Sequence, residues 1–247
     1  MSVDLRRIEE LALNSSAPPA QLLYDGWLVR LAPGKAKRAR SVNAVYPSTL
    51  ALEDKIAYCE SLYANANLPM LFRITPFSQP PELDAELARR GYGRLEPTAV
   101  ECAPLREAPA SGGASEMALE PWADAVAELR GSPRDHRDAH LARLAGLPLA
   151  KCPVAIEEGG RIVATGLTIV EDGVAGLFDI VTDEATRRRG HARRIVATLL
   201  ATAHRLGARN AYLQVESDNA PARALYAQYG FAERYTYWYR IRPGEQP

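Results

Sequence analysis

The sequence lacks a charge imbalance, and that absence excludes more than any motif does. Thirty lysines and arginines offset 30 aspartates and glutamates across 247 residues. With no net charge there is no whole-protein field to draw nucleic acid or an anionic membrane. The basic residues are nearly all arginine, which reads as coding bias. Cysteine is scarce: Cys59, Cys102 and Cys152 lie far apart with no CxxC pair. That excludes a zinc framework or a disulfide scaffold and fits a reducing cytoplasm. His136, His140, His191 and His204 have no metal-binding spacing, so no metal is expected. No apolar run reaches ~18 residues, so no membrane-spanning helix is expected. The N-terminus, MSVDLRRIEELALNSS, lacks a signal-peptide core. Its Leu5, Ile8, Leu11 and Leu13 instead suit one face of a short helix.

What is present is globular composition, 47% apolar and 24% charged. The main composition break is PLREAPASGGAS, Pro104 to Ser115, rich in proline, glycine and serine. It divides the chain into residues 1–104, a linker at 105–114, and residues 115–247. Before it, strands are expected at 26–31, 41–46, 71–75 and 92–102, with helices at 50–66 and 81–90. After it, helices are expected at 121–129, 134–144, 188–206 and 220–229. Strands are expected at 153–157, 161–170, 174–182, 211–216 and 232–240. The class is α/β, a mixed twisted sheet flanked by helices with a smaller related unit in front. LDAELARRGYGRLEP and ARALYAQYGFAERYT align without gaps, which suggests a weak internal repeat of strand, helix, strand.

The segment FDIVTDEATRRRGHARRIVATLLATAHRLGA carries the most chemistry. A strand ends near Thr182 and a long helix begins near Arg188, with Arg187-x-x-Gly190-x-Ala192 at the junction. Small residues at 190 and 192 let a large anion approach the backbone, where the free N–H groups of the first helical turn and the helix dipole meet it. Arg187, Arg188, Arg189 and Arg193 add positive charge. As a solvated arginine-rich helix start the same residues would mean nothing. Order and spacing decide for function, because the next segment, AYLQVESDNAPARALYAQYGF, supplies a strand, an asparagine and a tyrosine in turn. Asn219 and Tyr226 are seven residues apart, two helical turns, and share one side of the helix. Asn219 also suits a helix N-cap, and Tyr226 could be a core aromatic.

Together these segments resemble the GNAT superfamily of acetyl-coenzyme A-dependent N-acetyltransferases, whose signature is Q/R-x-x-G-x-G/A followed by Asn-x-x-A and A-x-x-L-Y. The resemblance implies that Arg188 to Arg193, with His191 and Ala192, cradle the coenzyme pyrophosphate. It implies that Ile180, Val181 and Thr182 pair with the pantetheine arm through their backbone, the threonine being a departure from the usual branched apolar residue. It also implies that Asn219 bonds the coenzyme and that Tyr226 protonates the departing thiolate. The first half lacks the phosphate turn, so no coenzyme is expected there.

The implied reaction is direct transfer of the acetyl group to a primary amine of a small molecule or a protein. An ammonium is not a nucleophile, so its proton needs an acceptor. Similar ribosomal-protein acetyltransferases place a glutamate five residues before the asparagine, where this chain has Gln214. Glu216, on the same strand face, and Asp179, on the neighbouring strand, are the candidates, with Glu216 preferred. The competing reading is a non-catalytic coenzyme A-binding module. A nucleic-acid role for GKAKRAR, Gly34 to Arg40, is weaker, since that run suits a solvated turn. Expected partners are acetyl-CoA and the amine, with a homodimer allowed.

Overall fold

The computed structural model describes residues 3–107 and 109–246. In chain order it forms α1 (Leu5–Asn14), β1 (Gln21–Tyr24), β2 (Trp27–Arg30), β3 (Val42–Ala44), α2 (Leu52–Asn65), β4 (Leu71–Ile74), α3 (Leu83–Arg89) and β5 (Gly93–Pro104). It continues with β6 (Ser115–Glu116), α4 (Leu119–Arg130), α5 (Arg134–Ala145), β7 (Ala150–Glu158), β8 (Arg161–Glu171), β9 (Val174–Thr182), α6 (His191–Arg205), β10 (Asn210–Glu216), α7 (Ala220–Ala227) and β11 (Ala232–Ile241). The expected α/β class is the one that forms.

Two compact units share the chain, and both are discontinuous in sequence. The larger holds the segment up to Ser15 with Val100–Val215 and Asn219–Arg234. The smaller holds Ser16–Ala99, Glu216–Asp218 and the segment from Tyr235. The chain passes from one unit to the other inside β5 and again inside β11.

In the smaller unit the strands run β1-β2-β3-β4-β11-β5. The expected β2–β3 pair is antiparallel and β3–β4 is parallel. Alternate residues Trp27, Val29, Val42, Ala44, Phe72 and Ile74 face one core with Ile56, Cys59 and Tyr63 of α2 and Leu83 and Leu87 of α3. This is the period-two pattern of strands meeting the helical stripe of α2.

In the larger unit the order is β5-β10-β9-β8-β7-β6. Every residue from Val163 to Ile169 of β8 is buried, so both sheet faces are covered there. Helix α6 packs on β8 through Ile195 and Leu199, and Gly166 permits it: a Cβ at 166 would sit 2.4 Å from Ile195 Cγ2. The Gly166 carbonyl accepts the Trp122 indole N–H from α4 at 3.1 Å. Helix α1 belongs to this unit. Ile8, Leu11 and Leu13 are buried as their spacing requires, and Asn14 donates to Glu171 at 2.9 Å.

The end of the Pro/Gly/Ser segment, at Gly112 and Ala114, is held against α6. Arg194 Nε donates to the Gly112 carbonyl at 3.0 Å, and the Ala114 N–H donates to Thr198 Oγ1 at 3.2 Å. The repeat has a structural counterpart. Gly91 (φ +81°) ends α3 with Gly91 N–H bonding Ala88 at 2.9 Å and Tyr92 N–H bonding Leu87 at 3.0 Å. Gly230 (φ +79°) ends α7 with Gly230 N–H bonding Ala227 at 3.0 Å and Phe231 N–H bonding Tyr226 at 3.3 Å. The same left-handed glycine cap closes both helices.

Candidate active site

Strand β9 begins between two partners and ends with one. Its parallel register with β10 runs from Val174–Asn210 to Leu177–Leu213 and stops. On β8 the register slips between Thr165 and Leu167, and opposite that slip Asp179 takes φ +50°. This is a β-bulge, which bends a strand and ends its pairing. Beyond it Val181 and Thr182 stay paired to Thr165 and Ala164. Their other edge carries no strand partner among the described residues, so backbone N–H and C=O groups there are open to an extended ligand.

That edge leads into the N-terminus of α6. Arg188 (φ +63°) and Gly190 (φ +85°) are both left-handed, and Gly190 is the N-cap. Having no side chain, it cannot cap the helix. The first intrahelical bond runs from Arg194 N–H to the Gly190 carbonyl at 3.0 Å, so the N–H groups of His191, Ala192 and Arg193 have no helical acceptor. A Cβ at 190 would meet no protein atom within 4 Å. Arg187, Arg188, Arg189 and Arg193 are exposed around this turn, and Arg187 pairs with Glu184 at 3.0 Å. His191 departs from its expected role in one respect. Its ring is buried, with Nε2 3.7 Å from Glu158 Oε2, so its backbone rather than its imidazole faces the turn's opening.

Asn219 is the N-cap of α7, its Oδ1 accepting the Ala222 N–H at 3.2 Å. The cap uses the oxygen and leaves the amide NH₂ available as a donor. Tyr226, seven residues on, is buried with its ring edge-on to Phe231 at 6.1 Å. Burial, then the nearby charge of Glu101, pushes its phenol up to about 12. Helix α7 is anchored where it matters. Arg223, one turn before Tyr226, binds buried Glu101 of β5 at 2.8 Å and Glu233 at 2.7 Å. Tyr229 donates to the Arg193 carbonyl at 2.9 Å, tying the end of α7 to the first turn of α6.

The two candidate proton acceptors differ sharply. Glu216 is exposed at the end of β10. Asp179 is nearly enclosed, with Arg130 Nη2 2.9 Å from one oxygen and His140 Nε2 3.2 Å from the other. Burial alone would raise its pKa, but His140, Arg130 and Arg143 outweigh burial and hold the carboxyl well below its usual range. The sequence pointed to neither Arg130 nor Glu101. The His136/His140 pair at helical spacing was visible, and only His140 turns to the bulge. Among the described residues no cluster of three metal-ligand side chains forms, and no helix is long and apolar enough to cross a membrane.

Residues 117–231 match the profile of the acetyltransferase (GNAT) family. An uncharacterized N-acetyltransferase, YobR of Bacillus subtilis (strain 168), is 29% identical over 97% of this chain and 99% of its own length. Among solved structures, a GCN5-related N-acetyltransferase from Kribbella flavida superposes with a TM-score of 0.68 at 17% identity, over 97% of this chain and 96% of that one. A tandem GNAT protein from the clavulanic acid biosynthesis pathway gives 0.61 at 16% identity over 99% of this chain and 90% of that one, so the likeness in fold extends to the smaller unit. The open edge of β9 and the uncapped start of α6 lie within the stretch that matches the profile, and residues 117–231 are therefore a GNAT acetyltransferase domain.

Proposed function

We propose that the protein transfers an acetyl group from acetyl-CoA to a primary amine by direct attack on the thioester. The observation that carries this reading is the unpaired edge at Ile180–Thr182, which runs into the uncapped N-terminus of α6. An extended amide-bearing arm can add to the edge as a strand, and its diphosphate then meets the N–H groups of His191, Ala192 and Arg193. The space where a Cβ at 190 would project is empty of protein, which suits an anion at van der Waals distance. Arg188, Arg189 and Arg193 supply the counter-charge. The free amide of Asn219 donates to the same ligand, and Tyr226 presents its hydroxyl to the leaving sulfur.

When bound, acetyl-CoA supplies the activated acyl group; the chain orients it and handles protons. Glu216 is our choice of base, because it is exposed and makes no ion pair among the described residues. The acceptor is a primary amine of a small molecule or a peptide. The test is thiol release from acetyl-CoA over a panel of amines, amino acids and peptide N-termini, with a melting curve at each acetyl-CoA concentration. Binding of a folded-state ligand raises the melting temperature by mass action. Thiol release with one class of amine supports the proposal. A thermal shift with no release over the whole panel would favour a coenzyme-binding module without catalysis, and no shift would refute the site.

A further inference from the structure

Asp179 carries more partners than any proton acceptor needs. It is a non-glycine residue at φ +50°, a conformation that L side chains avoid unless their surroundings enforce it. Three contacts enforce it here. Its backbone carbonyl accepts Thr165 Oγ1 at 3.2 Å. Its Oδ1 faces Arg130 Nη2 at 2.9 Å, from the last residue of α4. Its Oδ2 faces His140 Nε2 at 3.2 Å, from the middle of α5. The imidazole is itself fixed. Its ring stacks on Trp122 with centroids 6.0 Å apart, and Arg143 Nη2 approaches Nδ1 at 3.3 Å. A guanidinium can only donate, so Nδ1 is the acceptor in that contact and the other ring nitrogen is the one that faces Asp179.

We propose that Asp179 is a positioning residue which, clamped by Arg130 and His140, holds the β9 bulge and so keeps the Ile180–Thr182 edge open for the coenzyme arm. This rests on the proposed function, because the edge matters only if that arm binds there. The bulge lies between the last β9–β10 pair, Leu177–Leu213, and the first residue of the open edge. Whatever fixes residue 179 therefore fixes the direction in which residues 180–182 leave the sheet. Each carboxylate oxygen faces a side chain from a different helix, so the clamp ties α4 and α5 to one point on β9. With a partner at each oxygen and a side chain only 10% exposed, this carboxylate is poorly placed to meet an attacking amine.

The test uses the full chain, with acetyl-CoA affinity by calorimetry and steady-state kinetics from neutral pH upward. Asp179→Asn keeps the shape and removes the charge. It should raise KM and Kd for acetyl-CoA by ~10-fold, about the loss of one or two backbone hydrogen bonds to the arm. The shape of the kcat–pH profile should not change. Arg130→Gln cuts the same clamp at a side chain that is 36% exposed, so the fold is spared, and it should give the same defect. Arg130→Lys should restore most of the affinity. The Asp179→Asn/Arg130→Gln double variant should be no worse than the poorer single one, because both remove one interaction. Asp179→Asn with unchanged KM would overturn the proposal, and a kcat loss that rising pH recovers would overturn it and make Asp179 a base. Additive losses would overturn it as well. If the unaltered chain neither binds acetyl-CoA nor releases thiol, the functional reading falls and this proposal with it. Unaltered turnover with unmoved variants sinks the clamp alone.

Discussion

Replacing Tyr226 by phenylalanine isolates one hydroxyl. The ring stays, and with it the edge contact to Phe231 at 6.1 Å. No protein group bonds the hydroxyl among the described residues, so its removal breaks no hydrogen bond, and stability should change by less than about 0.5 kcal/mol. The kinetic effect follows from the phenol's pKa of about 12. An ordinary thiol ionises near ~8.5, so full transfer of the phenolic proton to a free thiolate runs uphill by roughly 3.5 in pKa, or roughly 5 kcal/mol. The hydroxyl therefore acts chiefly as a hydrogen-bond donor to the charge developing on sulfur. A hydrogen bond to a charged group contributes ~1.5–3 kcal/mol, which is a factor of ~10–150 in rate. Tyr226→Phe should thus lower kcat by ~10-fold to 10²-fold and leave KM for acetyl-CoA nearly unmoved, the signature of an interaction made mainly in the transition state. Single-turnover thiol release measures it without interference from product dissociation. Wild-type kcat under those conditions would reduce Tyr226 to a packing residue, and a large rise in KM would make it a ground-state contact.

Gly190→Asn tests the turn, since asparagine tolerates φ +85° better than other residues with a Cβ. The variant should fold and lose the melting-temperature rise with acetyl-CoA, and an undiminished rise would move the diphosphate elsewhere. Gly166→Ala should destabilise the fold by ~1–3 kcal/mol in denaturant titration, because its Cβ would sit 2.4 Å from Ile195 Cγ2; an unchanged midpoint would mean α6 shifts freely. Asp179 has a folded-state pKa below its unfolded value, so its stabilising contribution is present above about pH 4 and fades as pH falls through the folded value. Asp179→Asn should flatten that acid-side loss in pH-dependent melting, and an identical pH profile would refute the assignment. Calorimetry should give one acetyl-CoA per chain, and two equivalent sites would contradict the account of the smaller unit below.

The elements were legible in the sequence, and their assignment to units was not. Periodicity located α2, α6 and the β7–β8 hairpin within a few residues because each has a long amphipathic or alternating pattern. Strand β1 was not foreseen: Gln21–Tyr24 is four residues long and follows two prolines, too short to show alternation. The composition break was read at residues 104–115, whereas the chain passes out of the smaller unit earlier, inside β5. Strand pairing selects partners by edges and register, which local composition does not encode. The same reason hid Glu101, which lies next to Arg223 only because β5 neighbours β10. The uncapped turn at residues 187–192 was readable because glycine, arginine and a helix start lie within six residues. The clamp on Asp179 was not, because it joins positions 130, 140 and 179.

The smaller unit offers a contrast to the start of α6. Helix α2 follows β3 and precedes β4, which pair in parallel, as α6 follows β9 and precedes β10. Both helices lack a side-chain cap from the N-cap residue itself. At α2, however, the amides just before the helix already hold an anion. The Asp25 carboxylate accepts Thr49 N–H at 3.0 Å, Thr49 Oγ1 at 2.8 Å and Leu50 N–H at 2.9 Å. Those bonds, Leu50's first, hold its carboxyl well below the usual range, so it stays charged. Glu53 and Asp54 then fill the first turn of α2, whereas α6 has no acid in its first turn. An incoming diphosphate would have to displace one carboxylate and sit beside two more. In the aligned repeat, Leu87 occupies the place of Tyr226, so no hydroxyl is offered there either. Two strand–helix–strand frames, each followed by a helix with the same glycine cap, thus differ in two local features: a helix start kept free of the chain's own acids, and one phenol on the helix that follows.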